Sequence, residues 1–173
     1  MVESEYPIQV LSSIPQGTGM LWEKIKNFQE QINSLDESLT HKAGEKQSKE
    51  LQEVYPLKQH IENGIYTREM FMPAGHLIIS MIHKQSHPSF LLRGKVSYLT
   101  DEGVVETITA PKVIQTKEGA QRVFFVHEDT DWCCVYKTDA KTFEEAESDV
   151  YVDTYLELPK HIIEKKKLLW QDY

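Results

Sequence analysis

The chain has 173 residues, enough for one domain with a sizeable core, and carries a net charge of −8 with 27% charged and 40% hydrophobic residues. The negative excess opposes non-specific binding to nucleic acid polymers and to anionic membranes. No apolar run is long enough to cross a bilayer, and the segment from Met1 to Tyr6 is acidic rather than basic-then-apolar, so a cytoplasmic location is expected.

Residues 1–62 read as a helical arm. Within it, residues 1–17 contain Pro7, Pro15 and Gly17 and look irregular. Leu21, Ile25, Phe28, Ile32 and Leu35 then recur at spacings of three and four, which predicts one apolar helical stripe over 20–35. Thr18 is the candidate cap, and Glu23, Lys24, Lys26 and Glu30 form a solvated face. A short helix around 46–54 ends before Pro56. Residues 63–138 differ: Gly64, Gly75, Gly94, Gly103 and Gly119 punctuate short segments rich in Ile, Val, Tyr and Phe. Strands are expected at 65–72, 76–83, 88–99, 104–109, 112–115, 121–127 and 132–137, the spacing of an all-β sandwich or barrel. Asp101-Glu102-Gly103 signals a hairpin, and the run from His127 to Asp131 reads as a polar turn. Residues 139–173 return to helix. Thr142 can cap one helix, and a second follows Pro159 with Ile162, Ile163, Leu168, Leu169 and Trp170 as its apolar set. Lys165, Lys166 and Lys167 near its end suit the helix dipole as a solvated face. Cys133 and Cys134 are adjacent, a strained geometry for a bridge, so they read as reduced strand residues facing opposite ways.

The stretch 82–94 holds the candidate chemistry. His83 and His87 flank a polar break; in a straight strand they would stand roughly 13 Å apart, but a turn at 84–86 lets the rings converge. Two readings follow. As metal ligands, His83 and His87 need a third donor, with His76, Tyr136 and Glu69 as candidates for a divalent transition metal. As part of an anion pocket, they join Lys84, Arg122, Arg68 and Tyr136, the arginines offering a planar donor fork to carboxylate or phosphate. The structural alternatives are that Arg122 pairs with Glu69, Glu128 or Asp129, that Tyr66 and Tyr136 are core, and that His127 is a turn histidine. No glycine-rich phosphate loop, nucleophile elbow or paired CxxC is present.

The segment from Met81 to His87, followed by Gly94, resembles the first motif of the cupins, small jelly-roll β-barrels. Pro111 to Arg122 resembles the second. Relative to metal-binding cupins, Met81 stands for the first histidine, His87 for the glutamate and Arg122 for the last histidine. A more extensive likeness, over residues 55–138, is to cupin-like proteins of tailed-phage genomes. It is carried by Tyr55 to His60, Gly64 to Met70, Met72 to Gly75, Ile82 to Lys84, His87-Pro88, Arg93 to Ser97, Ala110-Pro111, Gly119, Arg122, and His127 to Thr130 with Trp132. Tyr136 stands where that family implies a histidine. The resemblance implies a mainly β, cupin-like jelly-roll barrel with N-terminal and C-terminal helical extensions, and a phage origin. The expected function is binding of an anionic small molecule, such as a nucleotide or sugar phosphate, in one form sequestration of a host signalling nucleotide without turnover. The alternatives are a metal-dependent isomerase, epimerase or oxygenase, and a structural or interaction protein. A homodimer is expected, since two-fold pairing is the commonest assembly.

Overall fold

The computed structural model describes residues 5–169. The strands among them are β1 (Leu57–Glu62), β2 (Ile65–Met72), β3 (Leu77–Ile79), β4 (Ile82–His83), β5 (His87–Leu99), β6 (Val105–Thr109), β7 (Lys112–Thr116), β8 (Val123–Lys137) and β9 (Tyr151–Val152). The helices are α1 (Tyr6–Ser13), α2 (Leu21–Asn33), α3 (Lys49–Val54), α4 (Phe143–Val150) and α5 (Lys160–Leu169). The protein is mainly antiparallel β with helices at both ends, as expected. No helix among the described residues is long and apolar enough to span a bilayer.

Two long strands, β5 and β8, pair with each other and divide the sheet. The first half of β5, from His87 to Leu91, carries β7, and the second half, from Lys95 to Leu99, carries β6. The C-terminal part of β8 carries β2, with β1 beyond it, and the N-terminal part carries β3. Register shifts between Leu91 and Val96 bend both strands at one corner. The halves fold over a shared core that includes Tyr66, Leu91, Val96, Phe124, Val126, Trp132 and Tyr136, giving a jelly-roll barrel. Gly94 sits at the corner with φ of 92°, and a Cβ there would lie under 3.0 Å from Thr130 and the Asp129 carbonyl. Only glycine meets both demands.

Apart from Glu128 at the bend, the even-numbered residues of β8 face the barrel core; the odd ones face the other way, where Val123 is buried under the helices. Cys134 is accordingly buried and Cys133 half-buried, both unpaired, as read from sequence. A second core, with Leu11, Ile14, Leu21 and Ile25 against Leu99 and Val123, seats α1 and α2 on the outer surface of the sheet. A third joins Ile82, Val152, Leu158 and Ile162, so β4, β9 and α5 pack together. Gly119, at φ of 75°, donates its N–H to the His83 carbonyl at 2.6 Å. Its missing Cβ leaves room for Ile162 and Lys166 of α5.

Several expectations are corrected. Residues 6–13 are helical, because Pro7 lies in the first turn, where its missing N–H costs nothing, and Leu11 and Ile14 dock on the sheet. Helix α2 is capped by Met20 and Glu23, not by Thr18. Lys24 leaves the solvated face to donate to the Pro15 and Gly17 carbonyls. The run from His127 to Asp131 is no turn: β8 continues through it, bent at the corner. The strand expected at 76–83 is broken into β3 and β4, and β1 lies on the N-terminal side of residue 63. Lys166 is largely buried and pairs with Asp101 at 3.3 Å rather than facing solvent. Thr142 and Glu145 form the anticipated cap of α4. Trp170 lies outside the described residues.

The corner gives a stability test. Gly94→Ala should lower unfolding free energy by at least about 2 kcal/mol in urea titration, from strain plus steric overlap. Gly17→Ala, at φ of 82° with nothing within 4 Å, should cost only about 1 kcal/mol.

Candidate functional site

Met72, Phe124 and Trp132 belong to the same core cluster as Tyr98 and Tyr136, beside which the polar side chains are gathered. His83 ends β4 and His87 opens β5, and the intervening turn brings their rings to 4.6 Å between centroids. Both are buried, at 5% and 2% exposure. Tyr136, from β8, lies 4.1 Å from the His87 ring and shares hydrogen bonds with His83 Nδ1 at 3.2 Å and the Tyr151 hydroxyl at 2.6 Å. Arg122, just before β8, is 9% exposed, with its guanidinium 5.3 Å above the Tyr98 ring. Arg68 points inward from β2, 5.6 Å from the Tyr151 ring, with its buried Nε lacking a hydrogen-bond partner.

Fixed donors and acceptors at the two ends set the direction of a buried chain. Arg122 Nη1 donates to Thr116 Oγ1 at 2.7 Å, and Thr116 and Ser89 hydroxyls lie 2.8 Å apart. Ser89 Oγ is 3.3 Å from His87 Nε2, and His87 Nδ1 is 3.1 Å from the Gln85 carbonyl. A carbonyl only accepts, so His87 carries its proton on Nδ1 and accepts at Nε2 while neutral. Ser89 therefore donates to His87, and Thr116 donates to Ser89. Every proton in the line points from the arginine toward Gln85.

The electrostatics agree. Burial lowers the His83 pKa well below the ordinary value, and the charges of His87, Arg122 and Arg68 add to the fall. Burial likewise brings His87 down to about 4, with Arg122 contributing, against the opposing Gln85 hydrogen bond. Burial pushes Tyr136 and Tyr151 well above the usual phenol range. Among the described residues no carboxylate comes within ion-pairing distance of either arginine, so the expected alternative partners of Arg122, Glu69, Glu128 and Asp129, do not hold it. Glu147 of α4 acts on Arg68 from farther away and is itself bonded to His41 at 2.5 Å.

The fold thus gathers His83, His87, Arg122, Tyr136 and Arg68 in one interior. It does not gather Lys84, which donates to the Ser148 carbonyl of α4 at 3.0 Å. Two supposed third metal donors lie elsewhere: His76 bonds Tyr55, and Glu69 pairs with Lys58 on the outer surface. No group of three His, Cys, Asp or Glu among the described residues is placed to hold a metal ion. His87 has both nitrogens in hydrogen bonds, and two guanidiniums repel a cation. The residues do not fit a divalent metal. Sequence reasoning missed Ser89, Thr116, Tyr98 and Tyr151. Ser89 was discoverable, two residues beyond His87 and so on the same side of the strand; Thr116 enters only through the pairing of β5 with β7.

No family model matches the chain, and no curated protein matches it. Similar solved structures include a cupin 2 domain-containing protein from Halorhodospira halophila, with a TM-score of 0.44 and 14% identity over 53% of this chain and 69% of that one. Ectoine synthase from P. lautus gives a TM-score of 0.44 at 11% identity, over 62% and 73%. The Clostridium difficile EutQ protein gives 0.39 at 15%, over 48% and 62%. The fold assignment rests on the strand pairing itself.

The buried imidazoles make a pH prediction. The unfolded chain takes up protons on histidine below about pH 6.5, whereas folded His87 resists them down to about 4. The unfolded state then binds more protons, so stability falls as pH drops through that window. His87→Gln should show a shallower fall than the parent in thermal melts between pH 7 and 4.

Proposed function

We propose that this protein is a small-molecule-binding barrel whose ligand presents an anionic group to Arg122. The observation that carries this reading is a guanidinium only 9% exposed with one side-chain hydrogen bond and no carboxylate partner. A buried charge left uncompensated is expensive, and proteins supply a counter-charge or a ligand. Here the neighbours are hydroxyls, neutral imidazoles and phenols, which position the cation without cancelling it. The rest of the donor fork suits a carboxylate or phosphate. Ser89 does donate to His87 Nε2, but both side chains are buried, at 1% and 2% exposure, and an imidazole whose pKa is held down to about 4 is a weak base, so binding without turnover is the reading adopted. The likeness of residues 55–138 to tailed-phage proteins supports a phage-encoded ligand sink, one form of which sequesters a host signalling nucleotide.

Calorimetry against inorganic phosphate, simple carboxylates and a nucleotide panel tests this, with Arg122→Met as the key variant. At least one anion should bind the parent and raise its melting temperature, and the variant should lose at least about tenfold in affinity. Without ligand the variant should melt no lower than the parent, because an unpaired buried charge has been removed. An absence of binding across the panel, or a variant destabilised in the absence of ligand, overturns the reading. So does a stoichiometric transition metal in untagged protein that is lost in His83→Ala.

A further inference from the structure

Strand β1 ends the sheet: it pairs with β2 on one side, and no described strand pairs with the other. Asn63 and Gly64 join β1 to β2 at φ of 51° and 79°, the positive pair of a type I′ turn. That turn fixes which residues point where. Glu62 and Ile65 close the hairpin as a hydrogen-bonded pair, and the pattern alternates back along the strand. Glu62, His60 and Lys58 therefore spend their backbone groups on β2. Leu57, Gln59 and Ile61 turn theirs to the open edge, where no described backbone or side-chain group meets them. Their side chains lie inward, and those of Lys58, His60 and Glu62 stand exposed. A groove of about 360 Å³ lies beside Pro56, Leu57 and Gln59, its far wall formed by residues 45–47 and by Phe143, Glu144 and Glu147 of α4, so an approaching strand must displace the 45–47 segment.

The exposed row is lysine, histidine, glutamate, and it complements itself when reversed. Within one chain Lys58 reaches Glu69 at 3.2 Å and His60 reaches Glu62 at 3.0 Å, exposed pairs that a cross-strand partner must share or replace. An antiparallel partner must offer its own outward-bonding residues to Gln59 and Ile61, which permits only registers that pair odd positions with odd. Centring on Gln59 sets Lys58 against a histidine. Centring on Ile61 leaves Lys58 beyond the strand. Centring on His60 sets Lys58 against Glu62 twice, in the closer non-hydrogen-bonded positions where cross-strand side chains interact most.

We propose that β1 pairs antiparallel with β1 of a second copy of this chain, with His60 facing His60 of the partner subunit and Lys58 facing Glu62 of the partner subunit. The dimer then joins two sheets through one continuous edge, and it is isologous, as two-fold symmetry requires.

Native mass spectrometry and light scattering of the full chain, with hydrogen exchange, test the pairing. The parent should be dimeric, and the Gln59 and Ile61 amides should gain protection as concentration rises. Lys58→Glu should weaken the dimer about thirtyfold, since both symmetric pairs become like-charged. The double variant Lys58→Glu/Glu62→Lys restores the opposite pairing and should recover it. A parent that stays monomeric overturns the proposal. So does a dimer indifferent to Lys58→Glu, a double variant no better than the single, or an unprotected edge.

Discussion

β5 and β8 are paired to each other along most of their length, yet they serve two different halves of the sheet. Both must therefore bend at the same place, and the bend must fall where no side chain blocks their approach. Gly94 beside Thr130 meets that requirement. The register shifts there let the inward face of β8 continue as even-numbered residues on both sides of the corner. Arg122 and Tyr136, fourteen positions apart, thus line one interior. The convergence of arginine, imidazoles and phenols depends on that geometry more than on any single contact between them.

The interior has an electrostatic logic of its own. Burial is the main reason that both histidines remain neutral, and the nearby guanidinium adds to the cost of any further positive charge. The hydroxyls of Thr116 and Ser89 turn their oxygens toward the arginine and their protons away. Each dipole offsets part of the charge, and the Tyr98 ring adds its quadrupole from the other side. These arrangements soften the charge without neutralising it. The same cation that suits an anionic group makes the site hostile to a metal, although the imidazole pair in isolation looks like a ligand set.

Much of this was legible in the chain and some was not. The turn between His83 and His87, the glycine punctuation and the cap at Thr142 are local signals, and local physics decided them. The continuity of β8 through His127, Glu128, Asp129, Thr130 and Asp131 was hidden, because a solvent-facing bend in a long strand has the composition of a loop. Strand β1 was hidden by proximity to helical sequence, although the alternation of Leu57, Gln59 and Ile61 and the Asn63-Gly64 pair were its signature. The fate of Arg122 needed the barrel itself: its hydrogen-bonded neighbour Thr116 is brought there by β5–β7 pairing, and the absence of a carboxylate is a property of the whole enclosure. Lys84 shows the converse, a basic residue beside the histidines whose backbone direction carries it to α4.

The close seating of α5 on Gly119 has one more consequence. That glycine grips the carbonyl of His83, and the helix fills the space its missing side chain leaves. The last helix is thus a splint for the histidine strand rather than an appendage. Loosening it would be felt as a change in the angle of an imidazole before any sheet hydrogen bond gave way.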